Sequence, residues 1–100
     1  MKIIWTELAV EKLEECADYI AIDKPSAALG WVKKIQKSVR KLKGFSESGR
    51  KVPEINRSNI REIIEGNYRI IYRVEEKRIT VLTIRNSRQL LSDNDVFEAS

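Results

Sequence analysis

Arginine dominates the basic residues in the second half of the chain, and its side chain is suited to binding anions. Of the 19 basic residues, eight of the first ten are lysine, whereas seven of the last nine are arginine. The planar guanidinium can donate two parallel hydrogen bonds to a phosphate or carboxylate group, which an ammonium group cannot do. Arg61, Arg85 and Arg88 are arginines that could hold a phosphate group. No neighbouring residue in the sequence is an obvious proton carrier at neutral pH.

The residues that the sequence lacks exclude several kinds of catalytic and metal site. The 100 residues include no histidine, so serine–histidine triads, histidine acid–base pairs and histidine metal sites are ruled out. The single cysteine, Cys16, excludes an intramolecular disulfide and a four-cysteine zinc site. We therefore expect neither a metal ion nor a cofactor.

Length and composition predict one small cytoplasmic domain. Hydrophobic residues make up 42% of the chain and charged residues 34%, which is ordinary for a globular protein. No apolar run approaches the roughly 20 residues that span a bilayer, so no membrane association is expected. The N-terminus becomes acidic at Glu7, too early for a secretory signal. We predict a single domain over residues 1–91, followed by an acidic, flexible tail over residues 92–100.

The net charge of +4 is unevenly distributed along the chain. Residues 1–23 hold two lysines and six acids, whereas residues 24–51 hold nine basic residues and a single acid, Glu47. The lysine-rich middle is either a solvated helix face or a surface for an acidic partner.

Two amphipathic helices are predicted in the first half. Thr6 is suited to cap the first, which we expect to run from about residue 6 to residue 23. Pro25 favours the start of a second helix, and Gly44 favours its end. Because the break between them is short, they should form an antiparallel hairpin. Their apolar stripes, at helical spacing, are Ala9, Leu13, Cys16, Ala17 and Ile20, then Ala28, Trp31, Val32, Ile35, Val39 and Leu42.

Beyond a predicted loop over residues 45–53, the apolar pattern changes to the alternation of strands. Residues 60–64, 68–74 and 79–85 are predicted strands, and Gly66-Asn67 is a predicted two-residue hairpin loop. A short strand is also expected at residues 3–5. In the last strand, alternation would place Thr80, Leu82 and Ile84 on one face and Ile79, Val81, Thr83 and Arg85 on the other.

The element order β-α-α-β-β-β predicts an α+β fold in which the helix hairpin packs on one face of a small antiparallel sheet. No helix is left for the opposite face, so that face is expected to be solvated or to bind a partner. The hairpin loop would place Glu62 diagonally between Arg69 and Arg73. A structural ion-pair cluster on the sheet is one interpretation of these three residues, and an electropositive patch for a partner is the other.

An ordered set of short motifs resembles the ParE branch of the RelE/ParE superfamily, which comprises toxins of type II toxin–antitoxin modules. The resemblance runs from about Trp5 to Leu91, and no single motif carries it alone. Its motifs are Trp5 with Ala9, Tyr19-Ile20-Ala21, Asp23-x-Pro25-x-Ala27-Ala28, Phe45-Ser46-Glu47-Ser48-Gly49-Arg50, Val52-Pro53-Glu54, Ile60-Arg61-Glu62 and Gly66-Asn67-Tyr68-Arg69-Ile70-Ile71-Tyr72-Arg73-Val74.

The resemblance implies a toxin that poisons DNA gyrase by binding and so blocks DNA replication. It also implies a cognate antitoxin, expected to be a DNA-binding protein, that neutralises the toxin by direct contact in a hetero-oligomer. The residues expected to face the target are Arg69, Arg73, Arg85, Asn86, Arg88, Leu90 and Leu91. The residues expected to bind the antitoxin are Trp5, Trp31, Lys34, Lys37, Arg40 and Lys41.

The alternative within the superfamily is a RelE-like, ribosome-dependent mRNA endonuclease. Such cleavage needs a general base, a general acid and cations for the phosphate. Its catalytic residues here would be Arg61, Arg85, Arg88 and Tyr72. The family frequently has His-Gly-Arg where this chain has Asn86-Ser87-Arg88, and asparagine cannot exchange a proton near neutral pH. This difference favours a protein that is not an enzyme, and it leaves open an inactive remnant that only binds the antitoxin.

Packing in the core is the competing interpretation for the aromatic candidates. Large aromatic residues at helical spacing, such as Trp31, are core residues more often than interface residues. Tyr68 and Tyr72 are likewise expected to pack on the helix side of the sheet.

Overall fold

The helix hairpin forms where the sequence predicts it. In the computed structural model, which describes residues 1–88, 91, 92 and 96, helix α1 spans Glu7–Asp23 and helix α2 spans Pro25–Arg40. The hydroxyl of Thr6 accepts a hydrogen bond from the N–H of Ala9 and donates one to the carbonyl of Leu82, both at 3.0 Å. The cap therefore also attaches the start of α1 to the sheet.

Five strands form one mixed sheet. They are β1 (Lys2–Trp5), β2 (Arg50–Lys51), β3 (Ile60–Glu65), β4 (Tyr68–Val74) and β5 (Arg78–Asn86), in the spatial order β1-β5-β4-β3-β2. The α+β class is confirmed, but β1 runs parallel to β5, and a two-residue strand, β2, lies within the predicted loop. Parallel pairing is possible at this edge because the helices separate β1 from β5, so no tight turn makes them antiparallel.

The β3–β4 hairpin has the predicted register. Glu65 lies opposite Tyr68, and Gly66 at φ +58° occupies the left-handed region that the two-residue loop requires. Glu62 lies opposite Ile71, and therefore diagonally between Arg69 and Arg73, as predicted.

A β-bulge in β5 makes the predicted alternation of that strand wrong. Tyr72 pairs with Val81, but the preceding Ile71 pairs with Thr83, so Leu82 is an extra residue. Because of this extra residue, the side chains that follow it in β5 lie on the opposite sheet face from the one that simple alternation predicts. Ile84 therefore packs with Val81 in the helix-side core, although simple alternation separates them.

The sheet face opposite the helices is covered, contrary to the prediction that it would be open. A second hydrophobic core lies there. It joins sheet residues to residues of the loop after β2 and of the chain beyond β5: Val52, Ile55, Ile60, Ile71, Leu82, Leu91 and Val96. The covering residues were missed because they lie in segments with no helical or strand periodicity.

Within the described residues, neither helix combines the length and the apolar character needed to cross a membrane. The same residues contain no group of three or more cysteine, aspartate or glutamate side chains placed to bind a metal ion.

Candidate partner-binding surfaces

An ion-pair network fixes Arg69 in the covered face of the sheet, although the sequence suggested Arg69 as a target contact. Its side chain is 5% exposed, and its Nε donates to the carboxylate of Glu62, which is fully buried. Its Nη1 and Nη2 donate to the two oxygens of Glu54 at 2.7 and 3.0 Å. Arg50 approaches the other oxygen of Glu62 at 2.7 Å. The pair that Glu62 forms with Arg69 confirms half of the predicted cluster.

Arg73, the other member of the predicted cluster, is paired elsewhere. Its Nε lies 3.7 Å from Glu75, so the expected pair with Glu62 is wrong in the described structure. The reason is that Arg50, on β2, takes the second oxygen of Glu62. Because β2 was not predicted, the pairing of Arg50 with Glu62 was not expected.

Glu54 connects this network to the chain beyond β5. Its carboxylate accepts hydrogen bonds from Arg69 and, at 3.0 Å, from the N–H of Leu91. The hydrogen bonds from Arg69 hold the pKa of Glu54 at about 2, below its usual 4.5, and outweigh the opposite effect of burial. In return, Glu54 raises the pKa of Arg69. Glu54 and Arg69 therefore both stay charged at neutral pH.

The free energy of unfolding is expected to fall as the pH is lowered from about 5 towards 2. A carboxyl group whose pKa is depressed by folding stabilises the fold above its unfolded pKa, and the stabilisation is lost as the pH falls through the folded value. Because the side chain of Glu54 is 20% exposed, we expect its share to be about 1 kcal/mol. Urea unfolding at pH 7 and pH 3 measures this difference.

Two variants separate Glu54 from the other carboxylates. Glu54→Gln should reduce the loss of stability between pH 7 and pH 3, whereas Glu76→Gln, an exposed control, should leave it unchanged. Some pH dependence should remain in both, because Arg78 and Thr80 hold the pKa of Glu75 at about 2 as well. An unchanged pH dependence in Glu54→Gln would contradict the assignment.

Tyr72 and Arg61, two of the residues named for the nuclease alternative, hold the loop that precedes β2. The buried Tyr72 hydroxyl donates to the carbonyl of Ser46 at 2.9 Å and accepts from the N–H of Gly49 at 3.0 Å. Burial is the main cause that raises the pKa of Tyr72. Arg61 donates to the carbonyls of Gly49 and Ser58, at 2.9 and 3.1 Å. Both side chains are thus occupied in contacts with the backbone.

The remaining target-facing candidates gather at the end of the sheet where β5 finishes. A cleft of about 450 Å³ lies between this end and α1; it is lined by Lys12, Glu15, Cys16, Tyr19, Tyr68, Ile84, Arg85 and Asn86. A smaller polar cleft of about 260 Å³ adjoins it, lined by Asn67, Asn86, Ser87 and Arg88. Arg88 is exposed, and its N–H donates to the side-chain oxygen of Asn86 at 3.0 Å.

The two leucines suggested for target binding have different places. Leu91 is 5% exposed and belongs to the second hydrophobic core, so it is not a surface contact. Leu90 lies outside the described residues.

The predicted antitoxin residues divide between the core and the basic surface of α2. Trp5 and Trp31 are half-buried against the helix-side core, and the Trp31 ring lies 4.9 Å from that of Tyr68. Four cations on or just after α2 are exposed: Lys34, Lys37, Arg40 and Lys41. The structure brings Trp5 and Arg40 together in a groove of about 360 Å³, lined by Lys2, Ile3, Trp5, Gln36, Val39, Arg40 and Lys43.

Sequence reasoning missed several residues that shape these surfaces. Glu54 and Arg50 were noted only as parts of motifs. Arg50 pairs with Glu62 and Glu54 pairs with Arg69, and both ion pairs depend on the loop around β2 folding back on the sheet. Lys2 and Lys43 are distant in sequence and meet in the groove only because β1 joins the edge of β5. The one signal available in the sequence was the predicted diagonal position of Glu62 between Arg69 and Arg73.

Comparison with known proteins decides the family. The family model described as the ParE toxin of the type II toxin–antitoxin system, parDE, matches residues 3–91. The chain belongs to the ParE toxin family. A solved structure titled "Chromosomal ParDE TA system from P. aeruginosa" contains a chain that is 27% identical, with a TM-score of 0.71. The alignment covers 86% of this chain and 95% of that one. A search of curated protein sequences gave no match.

The motifs that carried the resemblance to the ParE toxin family have identifiable structural roles in this chain. The loop motif that includes Ser46 and Gly49 is held by Tyr72, and Glu54 of the next motif holds Arg69. Gly66-Asn67 forms the hairpin loop. The motifs therefore describe how the sheet is built and covered.

Proposed function

We propose that this ParE family member is a gyrase-inhibiting toxin that acts by binding and is neutralised by a cognate antitoxin. The family match over residues 3–91 is the observation that carries the proposal. The contacts of the nuclease candidates support a binding role. Tyr72 is buried with its hydroxyl in two hydrogen bonds, and Arg61 is held by backbone carbonyls.

The end of the sheet at Arg85, Asn86 and Arg88 is the surface that we propose for the target. It combines an exposed arginine with two adjoining clefts, one of them wholly polar in its lining residues. Arginine and asparagine side chains at such a surface suit the phosphates of DNA held by gyrase, or carboxylates of the enzyme itself.

The target assignment is tested by inducing the chain without its antitoxin and following the incorporation of labelled thymidine and methionine. An early loss of DNA synthesis, with translation declining later, is expected. Purified protein mixed with gyrase and plasmid should accumulate linear DNA from trapped cleavage complexes. Early loss of translation would instead support the RelE-like alternative, and unaffected growth would contradict both toxin activities.

Arg88→Glu is expected to raise the concentration of protein needed for half-maximal gyrase inhibition about tenfold, which corresponds to about 1.4 kcal/mol of binding free energy. The charge reversal replaces an attractive contact with a repulsive one while leaving the folded core intact, because Arg88 is exposed. Lys77→Glu is the matched control, since it makes the same change of charge in the exposed turn at the opposite end of β5. Equal loss of inhibition in both variants would contradict the proposed surface.

A further inference from the structure

Leu91 is held to the covered face of the sheet by a backbone hydrogen bond as well as by its buried side chain. Its N–H donates to the Oε2 atom of Glu54 at 3.0 Å, and the residue is 5% exposed in the second hydrophobic core. The same Oε2 atom accepts a hydrogen bond from Nη1 of Arg69 at 2.7 Å. Because Arg69 belongs to β4 and is itself buried, the sheet fixes the position of this carboxylate. Glu54 is therefore a well-anchored acceptor for the backbone of Leu91.

Arg88 lies between this contact and a second one at the β3–β4 hairpin loop. The N–H of Ser87 donates to the carbonyl of Asn67 at 2.7 Å, and the N–H of Arg88 donates to the side-chain oxygen of Asn86 at 3.0 Å. Leu91 follows Arg88 by three positions, and three residues of extended chain span at most about 11 Å. The exposed Arg88 is thus preceded and followed by fixed points of the backbone.

We propose that Glu54 is a positioning residue for target binding, which holds the N–H of Leu91 and thereby keeps Arg88 at the end of the sheet where it contacts the target. The inference rests on the proposed function, because it explains how a residue of the proposed target surface is held in place. An exposed arginine on a loose chain must be ordered when it binds, and this ordering costs binding free energy. A chain that is already held in the bound arrangement avoids that cost. Glu54 acts through Leu91 and Arg88 and does not itself touch the target.

A purely structural role for Glu54 leads to a different expectation. Loss of its ion pair with Arg69 would then lower the free energy of unfolding and change target binding only through the fraction of folded protein. Glu75 is the matched comparison, because its carboxylate also pairs with arginine, and the side chains of Glu54 and Glu75 are 20% and 26% exposed. Glu75 lies in the turn between β4 and β5, at the opposite end of β5 from Asn86. Glu75→Met therefore removes an ion pair of the same kind at the other end of the sheet.

Gyrase supercoiling assays with the purified full chain measure the protein concentration for half-maximal inhibition. Glu54→Met, which removes the acceptor for the Leu91 N–H, should raise this concentration about threefold, whereas Glu75→Met should leave it unchanged. Urea unfolding of each variant identifies a temperature at which both are fully folded, and the assays are run there. Equal inhibition by the two variants would overturn the positioning role.

Glu54→Gln separates the hydrogen bond to Leu91 from the negative charge. The amide oxygen of glutamine can take the place of Oε2, which accepts from both Leu91 and Arg69. The concentration for half-maximal inhibition by Glu54→Gln should therefore stay within about twofold of the native value. A loss of inhibition as large as that of Glu54→Met would show that the charge of Glu54 matters instead of its contact with Leu91, and would overturn the proposal.

A double-mutant cycle tests whether Glu54 acts through Arg88. Arg88→Ala alone should raise the half-maximal concentration about fivefold, and adding Glu54→Met should raise it little further, instead of to the product of about fifteenfold. Effects that multiply would show that Glu54 acts elsewhere and would overturn the proposal. An Arg88→Ala variant with native inhibition would overturn the proposal and leave gyrase inhibition standing, whereas a native chain that does not inhibit gyrase would overturn both.

Hydrogen exchange tests the contact between Glu54 and Leu91 without gyrase. Glu54→Met should speed exchange of the Leu91 amide about tenfold more than Glu75→Met does, because only Glu54→Met removes the acceptor of that N–H. The amide of Ile71, which is buried in the same core, should respond similarly in the two variants. Equal exchange of the Leu91 amide in both variants would show that Glu54 does not hold this part of the chain, and would overturn the proposal.

Discussion

Replacing Arg69 with methionine is expected to destabilise the fold by about 3–5 kcal/mol, because a buried carboxylate would lose its main partner. Glu62 is fully buried and forms an ion pair with the Nε of Arg69. Glu54 forms an ion pair with the Nη1 atom of the same guanidinium group. A domain of this size has a total stability of about 5–15 kcal/mol. The variant should therefore be only marginally folded, with a much lower midpoint in urea unfolding monitored by tryptophan fluorescence.

Arg50→Met is the matched control for the loss of Arg69. It removes a cation from the same carboxylate, but the Arg50 side chain is 62% exposed, so water can replace it. Its expected cost is about 1 kcal/mol or less. The double variant Arg69→Met with Glu62→Gln should recover part of the loss, since no buried charge then remains. Equal costs for Arg50→Met and Arg69→Met would contradict the assignment of Arg69 as the central cation.

The same network shows why the sequence predicted only part of this surface. The diagonal placement of Glu62 and Arg69 followed from a two-residue loop, because the register of a hairpin is fixed by its turn. The involvement of Arg50 and Glu54 depends on a loop that folds back over the sheet, and no short-range rule predicts that contact. Arginines on a strand therefore predicted charge pairing correctly but did not predict that Arg69 would be buried.

The predicted fold succeeded where periodicity was regular and failed where one residue disturbed it. The apolar stripes of α1 and α2 specified the hairpin, since each stripe needs a surface to bury against. In β5, one extra residue at the bulge moved Ile84 to the helix side, and nothing in a run of β-branched residues marks such an insertion. The far face was expected to be open because it lacks a helix, yet Val52, Ile55 and Leu91 cover it.

The groove at β1 could not be predicted for a different reason. Some of its residues lie on β1, and the others lie on α2 or, like Lys43, just beyond it. These two parts of the groove are more than 30 positions apart in the sequence. They meet only because β1 pairs with the far side of β5. Strand order in a sheet is set by the packing of the whole chain, so residue spacing alone carries little information about it.

Gly49 is the one of the four glycines at which an added Cβ atom would meet close neighbours. A Cβ atom there would lie 2.5 Å from the carbonyl oxygen of Glu62 and 2.5 Å from the hydroxyl of Tyr72. The Gly49 N–H donates to that hydroxyl, and its carbonyl accepts from Arg61 at 2.9 Å. The loop cannot move away from the methyl group without losing these hydrogen bonds, so the conflict involves both backbone and core.

Gly49→Ala is expected to lower the free energy of unfolding by about 2–3 kcal/mol, measured by urea denaturation, because overpacking a fixed site forces the backbone and Tyr72 apart. Gly30→Ala is the control: it lies within α2 with no atom near its added methyl group, so it should stabilise the protein by about 0.5–1 kcal/mol. Adding Tyr72→Phe to Gly49→Ala removes the hydroxyl, which is one of the three atoms within 3.0 Å of the added methyl group, so the two losses should be less than additive. Strictly additive losses, or a Gly49→Ala variant as stable as the native protein, would show that the loop accommodates the methyl group without disturbing Tyr72.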